Sequence, residues 1–193
     1  MAFTLQLGER APDFNLPGVD GRNHRLTDFA DANVLIVAFT CNHCPYVIGS
    51  EDRMNDLYAG YSSEGVAMVA INSNETDNHP TDSFEHMILR AKEKNFRFPY
   101  LRDESQEVAL AYGALRTPHF FVFDSNRKLC YTGRMDDNPM TPSQATTREL
   151  RDALDDILAG RRVAVPLTNP IGCNVKWKNH DPHWMPPEAC DLV

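Results

Sequence analysis

Two unbroken apolar runs, Val34-Leu35-Ile36-Val37-Ala38-Phe39 and Val66-Ala67-Met68-Val69-Ala70-Ile71, interrupt a chain that otherwise mixes polar and apolar positions. Such runs suit strands buried on both faces, and the first should be central in its sheet. Tyr46 to Tyr61 between them can form a helix. The three segments then make a β-α-β unit, with parallel strands and a right-handed crossover. A second helix is expected from Thr81-Asp82-Ser83, where Thr81 or Asp82 can cap, with Phe84, Met87, Ile88 and Ala91 on one face and an end before Phe96–Pro99. A shorter helix from about Glu104 to Tyr112 is stopped by Gly113. His119 to Asp124 and Lys128 to Gly133 read as strands joined so tightly, through Ser125-Asn126-Arg127, that they must be antiparallel. Thr147 to Ala159 carries a helical stripe of Leu150, Ala153, Leu154, Ile157 and Leu158, closed by Gly160.

Two short extended pieces within residues 11–29, about Asp20-Gly21, predict an N-terminal hairpin. Residues 163–193 are rich in Pro, Asn and His without periodicity, which predicts a tail wrapped over the domain or extending from it. The expected organisation is therefore one α/β domain over residues 1–162, with a central mixed sheet flanked by helices, and a tail over 163–193. A length of 193 residues agrees with one domain.

Composition narrows the function classes. The net charge of −8 leaves no basic field for a phosphate backbone or an anionic membrane, so nucleic acid is not an expected partner. The longest purely apolar run, Val34 to Phe39, is far short of the roughly 20 residues that cross a bilayer, and no membrane partner is expected. No secretory signal is read in the first ten residues, and the cytoplasm is the expected location. Five cysteines is an odd number, which points to individual thiol or metal chemistry and not to stapling.

The chemistry concentrates in Cys41-Asn42-His43-Cys44, where a buried central strand turns into a helix. Unsatisfied N–H groups at a helix start favour thiolate, and settings of this kind depress a cysteine pKa from about 8.5 by several units. A protonated His43 adds to that stabilisation. Two cysteines three apart within a β-α-β pattern favour redox chemistry over metal binding and over inert thiols. A metal reading remains open, with Cys41 and Cys44 joined by His180 and His183 of the tail as nitrogen and sulfur ligands. No cofactor and no resident metal are expected on the favoured reading. Cys173, in an apolar island of the tail, reads equally as a resolving thiol and as a buried anchor, Cys130 reads as structural, and Cys190 has no assigned role. Asn72-Ser73-Asn74 leaves the second strand at the sheet edge that carries the cysteines. His79 and His86 read as surface residues, His119 as a strand-start histidine, and Asp103, Glu104 and Glu107 as a solvated helix face.

Several segments resemble the thioredoxin fold, and in particular the proteins related to the alkyl hydroperoxide reductase and thiol-specific antioxidant family. They are Ala11-Pro12-Asp13-Phe14, Phe39 leading into Cys41-Asn42-His43-Cys44-Pro45, and Tyr112 to Pro118 followed by Phe120-Phe121-Val122-Phe123-Asp124, and the likeness spans about residues 5–160. The resemblance implies a cis-proline loop at Thr117-Pro118 that sits against the redox cysteine and presents backbone groups to an extended substrate. In the register it implies, Cys44, five residues after Phe39, stands at the attacking-cysteine position and Val47 at the usual resolving position, so Cys41, which precedes the helix, is the expected resolving partner, with Cys173 of the tail as a second candidate. Asn42, Thr117 and Pro118 are then the expected substrate-binding residues. Peroxiredoxins of this family carry Pro-x-x-x-Thr-x-x-Cys and an Arg before the late strand; neither is matched, since Thr40 abuts Cys41 and Pro118 stands at the Arg position, while Arg116 reads as a loop charge. The expected activity is accordingly thiol–disulfide exchange of an antioxidant type and not efficient peroxidase turnover. Protein or small-molecule disulfides are the expected substrates, with a thioredoxin or glutathione system as reducing partner.

Overall fold

The structure is a computed structural model that describes residues 3–189 and 192–193; Cys190 lies outside the described residues. In chain order it contains β1 (Asn15–Pro17), β2 (Asn23–Arg25), β3 (Val34–Thr40), α1 (Pro45–Ile48), α2 (Glu51–Tyr61), β4 (Val66–Asn72), α3 (Phe84–Glu93) and β5 (Tyr100–Arg102). There follow α4 (Glu107–Tyr112), β6 (Arg116–Thr117), β7 (His119–Phe123), β8 (Leu129–Gly133), α5 (Glu149–Leu158) and β9 (Cys173–Asn174). β1 and β2 form the expected antiparallel hairpin. The five-stranded sheet runs β5-β4-β3-β7-β8, with β3 parallel to β4, β4 parallel to β5, and β3-β7 and β7-β8 antiparallel. The mixed, helix-flanked architecture and the central place of β3 agree with the sequence reading.

Alternate residues of β3 feed two cores, as side chains on a pleated strand must. Ile36 and Ala38 join Met54, Leu57, Met68, Met87, Leu150 and Leu154 under α2, α3 and α5. Leu35, Val37 and Phe39 join Phe14, Val69, Ile71, Tyr112, Phe121 and Trp177 on the other face, beneath the hairpin, α4 and part of the tail. Every residue of β3 is buried, which is why its sequence does not alternate.

Four local expectations are corrected. The helix drawn over Tyr46–Tyr61 is broken at Gly49-Ser50, because Pro139 crosses so closely that a Cβ on Gly49 would lie 2.4 Å from its carbonyl oxygen. Ser83, and not Thr81 or Asp82, caps α3 by accepting the His86 N–H at 3.4 Å. The helix expected from Glu104 starts at Glu107, since Gln106 has φ +65°. Asp103 is not solvated: it is fully buried and accepts the Ser73 hydroxyl at 2.8 Å and the Ala109 N–H at 2.9 Å. β5 has no sequence counterpart, because three residues ending in Arg102 present no recognisable period.

The tail lies along the body. β9 pairs antiparallel with β6, Val175 and Trp177 are buried, and Thr168 hydrogen-bonds the Tyr131 hydroxyl at 2.8 Å. Among the described residues, no helix is long and apolar enough to cross a membrane.

Candidate active site

β3 ends at Thr40, and the chain turns through Cys41-Asn42-His43 so that Cys44 becomes the extended N-cap residue of α1 (φ −67°, ψ 124°), with Pro45 as its first helical residue. Proline is at home there, because the first helical N–H has no intrahelical partner. The Cys44 carbonyl accepts the Val47 and Ile48 N–H groups, each at 3.0 Å. Both thiols are out of solvent, Cys41 at 1% and Cys44 at 0% exposure. The Cys44 N–H points at Cys41 Sγ, 3.4 Å away. Thr117, which precedes a cis peptide bond to Pro118, touches both sulfurs: its Oγ1 is 3.4 Å from Cys41 Sγ, and its carbonyl accepts the Cys44 S–H at 3.1 Å.

Burial alone favours the neutral form of a thiol, yet the two cysteines separate. A hydrogen bond from Cys41 is the largest influence on Cys44; it outweighs burial and, with donors from Cys173 and the Val47 N–H, brings Cys44 down to about 5. Burial pushes Cys41 up, and the neighbouring Cys44 pushes it further. Cys44 is thus the thiol that ionises, while Cys41 keeps its proton. The Thr117 carbonyl can accept only from the protonated form, so ionised Cys44 depends on the Cys41, Cys173 and Val47 donors.

A buried carboxylate organises the two residues between the cysteines. Asp82, at 0% exposure, accepts the Asn42 N–H at 2.6 Å and lies 2.7 Å from His43 Nδ1. Asn72 and Asn74 donate to it at 3.3 and 2.9 Å. Burial would raise the Asp82 pKa, but the hydrogen bonds from His43, Asn42 and Asn74 prevail and lower it. The Asp82 hydrogen bond raises His43 against the opposing effect of its partial burial. His43 also stacks on His79, centroids 5.0 Å apart at 20°, and His79 Nδ1 meets Glu75 Oε1 at 2.5 Å. Asp82 and His79 escaped the sequence reading, which treated them as a helix cap and a surface residue. The available signal was Asn72-Ser73-Asn74, an unusually polar strand exit whose amides in fact serve Asp82.

The other candidates are distributed as follows. Thr117 and Pro118 stand beside Cys44, but the Thr117 edge is paired with the chain's own β9, Thr117 opposite Cys173. Asn42, expected to face substrate, spends its amide within the protein, donating to the Thr81 carbonyl at 2.8 Å and accepting the Tyr100 hydroxyl at 2.8 Å. Cys173 packs against the Cys41, Cys44 and Val47 cluster. Arg116 is not a free loop charge: its Nη1 donates to Asn174 Oδ1 at 2.7 Å. His119 is fully buried, takes the Leu115 N–H at Nδ1 and meets Thr132 Oγ1 at 3.0 Å, and burial drives its pKa down to about 3. His180 stacks on Trp184 at 3.7 Å, and the tail histidines do not join the cysteines. Among the described residues the group with metal-ligating side chains within reach of one another is Cys41, His43 and Asp82. Both Asp82 oxygens are already engaged by the donors above, so the set does not offer a ready ligand site.

The family model described as Redoxin matches residues 6–149. The thiol-disulfide oxidoreductase ResA of Geobacillus thermodenitrificans (strain NG80-2) is 33% identical over 125 residues, covering 65% of this chain and 67% of that protein. The crystal structure of an uncharacterized conserved protein from Geobacillus kaustophilus is 40% identical and superposes with a TM-score of 0.85 over 93% of this chain and 96% of its own. The peroxidoxin BcpB of Mycobacterium tuberculosis, 21% identical with a TM-score of 0.58 over 80% of this chain and 95% of its own, shares the fold. With its mixed sheet, its cysteine pair at a helix start and the cis Thr117-Pro118 beside it, the chain belongs to the Redoxin family and is a thioredoxin-fold, peroxiredoxin-like protein.

Proposed function

We propose that the protein is a thiol–disulfide oxidoreductase in which Cys44 attacks the substrate disulfide and Cys41 completes the exchange. The observation that carries this reading is the contact between the two buried thiols, with the Cys44 N–H on Cys41 Sγ and both sulfurs against Thr117. The Cys44 thiolate attacks one sulfur of a protein or small-molecule disulfide, forming a mixed disulfide and releasing the other sulfur as thiolate. Cys41 then gives up its proton and attacks Cys44 Sγ. This forms the Cys41–Cys44 disulfide and expels the second substrate thiolate, so that the substrate gains two electrons and the pair loses two. His43, adjacent to Cys44 in the chain, is held by Asp82, whose hydrogen bond raises its pKa. Thr117-Pro118 lies against the cysteine pair, with the Thr117 carbonyl accepting the Cys44 S–H and its edge covered by β9, and Asn42 braces the cysteine loop against Tyr100. A thioredoxin or glutathione system restores the dithiol, and an odd cysteine count without a stapling framework supports a reducing compartment, the cytoplasm.

Reduction of a model disulfide by the dithiol form tests the reading. Cys44→Ser is expected to lower the rate by about a thousandfold, and Cys41→Ser, made together with Cys173→Ser, to arrest the reaction as a mixed disulfide on Cys44 detectable by mass spectrometry. An unchanged rate in Cys44→Ser would exclude it.

A further inference from the structure

β9 carries a third thiol to the pair. It lies antiparallel on β6 with Cys173 opposite Thr117, the residue that touches both active-site sulfurs. The approach is close: a Cβ on Gly172 would lie 2.0 Å from the Thr117 carbonyl oxygen, so this seat requires a residue without a side chain. The register is held from the C-terminal side. The Lys176 N–H donates to Asn74 Oδ1 at 2.8 Å, and its carbonyl accepts from the Glu75 N–H and Gln106 Nε2, each at 2.8 Å. Val175 and Trp177 are buried and already anchor the tail, whereas Cys173 remains only partly buried. An anchoring role therefore does not account for a thiol at 173, packed against the Cys41, Cys44 and Val47 cluster.

We infer that Cys173 is the third member of a thiol relay that carries the disulfide from the buried Cys41–Cys44 pair to the partly exposed edge of the site, where an external thiol re-reduces it. The inference rests on the thiol–disulfide reading above. The relay step is an isomerisation. Cys173, whose thiol burial and the neighbouring Cys44 push up to about 11, gives up its proton as it attacks Cys44 Sγ of the Cys41–Cys44 disulfide; a Cys44–Cys173 bond forms, the Cys41–Cys44 bond breaks, and the electron pair leaves on Cys41. The proton lost by Cys173 ends on Cys41, whose burial favours the neutral thiol. A small-molecule or protein thiolate then attacks Cys173 Sγ and expels Cys44, the thiol of lowest pKa and hence the better leaving group. A second equivalent of that thiol attacks the mixed disulfide on Cys173, returning Cys173 to the thiol and leaving the reductant as its disulfide.

The test uses the full chain. The reduced protein is exposed to excess bis(2-hydroxyethyl) disulfide, quenched with acid at intervals, alkylated and mapped by peptide mass spectrometry, and the oxidised protein is then returned with glutathione. The relay requires a Cys41–Cys44 linkage followed by a Cys44–Cys173 linkage, and re-reduction by glutathione about tenfold or more slower in Cys173→Ser. Cys41–Cys44 as the sole linkage at every time point, or re-reduction of Cys173→Ser at the wild-type rate, would overturn it. The mapping uses the unmodified protein and so decides the matter whether or not the variant folds. If Cys41–Cys44 itself never forms, the relay and the reading beneath it fall together, an outcome distinct from the absence of Cys44–Cys173 alone.

Discussion

A thiol that titrates at about 5 is almost wholly ionised at neutral pH, and at Cys44 the cause is a set of donors working against burial. Alkylation of Cys44 by iodoacetamide, followed by peptide mass spectrometry, should therefore hold a constant rate above about pH 6 and fall about tenfold per unit below pH 5. Cys41→Ala removes the largest of these donors and is expected to move the midpoint upward. Asp82 acts one step away, through His43. Asp82→Asn is expected to lower the His43 pKa, read from its ring protons by NMR, and to cost about 1–3 kcal/mol in urea unfolding, since the donors around it lose a buried charged acceptor. The pH dependence has a defined sign. The folded pKa of Asp82 lies below its unfolded value, so its contribution is present above about pH 4 and is lost as pH falls through the folded pKa. The difference between wild type and Asp82→Asn should accordingly shrink on acidification. Cys41 and Cys44 were legible because their spacing is a property of four adjacent residues. Asp82 was not, because its partners come from two other segments of the chain, the cysteine loop and the exit of β4.

At the scale of elements, long apolar runs announce themselves and short pairings do not. β3 and β4 each bury a continuous hydrophobic stretch, so their place at the centre of the sheet follows from sequence. β6 and β9 are two residues each and owe their pairing to a close backbone approach at Gly172. Gly172→Ala is expected to push β9 off the Thr117 edge. Hydrogen exchange should then show faster exchange of the Val175 amide, which donates to the Leu115 carbonyl at 3.3 Å, while the five-stranded sheet keeps its protection. Retained protection at that amide would show that the approach tolerates a side chain. The break between α1 and α2 has the same kind of cause: Pro139 arrives from a distant loop and meets Gly49, an event with no local signature.

For the whole molecule the C-terminal segment is part of the second core and not an appendage of it. Trp177 packs edge-on to Phe3 at 6.5 Å and to Trp184 at 6.3 Å, and it is 8% exposed. Trp177→Ala is expected to cost about 3–5 kcal/mol, measured by denaturant unfolding, and to loosen the segment that places Cys173. A cost below about 1 kcal/mol would mean that the tail contributes little to folding. The polar composition of residues 163–193 conceals this, because buried residues such as Val163, Thr168, Val175 and Trp177 are spread without a period among Pro, Asn and His.

The sequence by itself determined the α/β class, the parallel β3-β4 unit, the antiparallel β7-β8 pair and the cysteine pair where strand turns to helix. Each of these is written in contiguous residues, as a hydrophobic period, a turn or a covalent spacing. Only the tertiary structure decided that Asp82 holds His43, that His79 stacks upon it, that Asn42 turns its amide inward, and that the tail lays Cys173 against Cys44. Those are contacts between segments far apart in the chain, set by which backbone edges lie close enough to pair and which buried polar groups must find partners. Neither requirement leaves a local pattern to read.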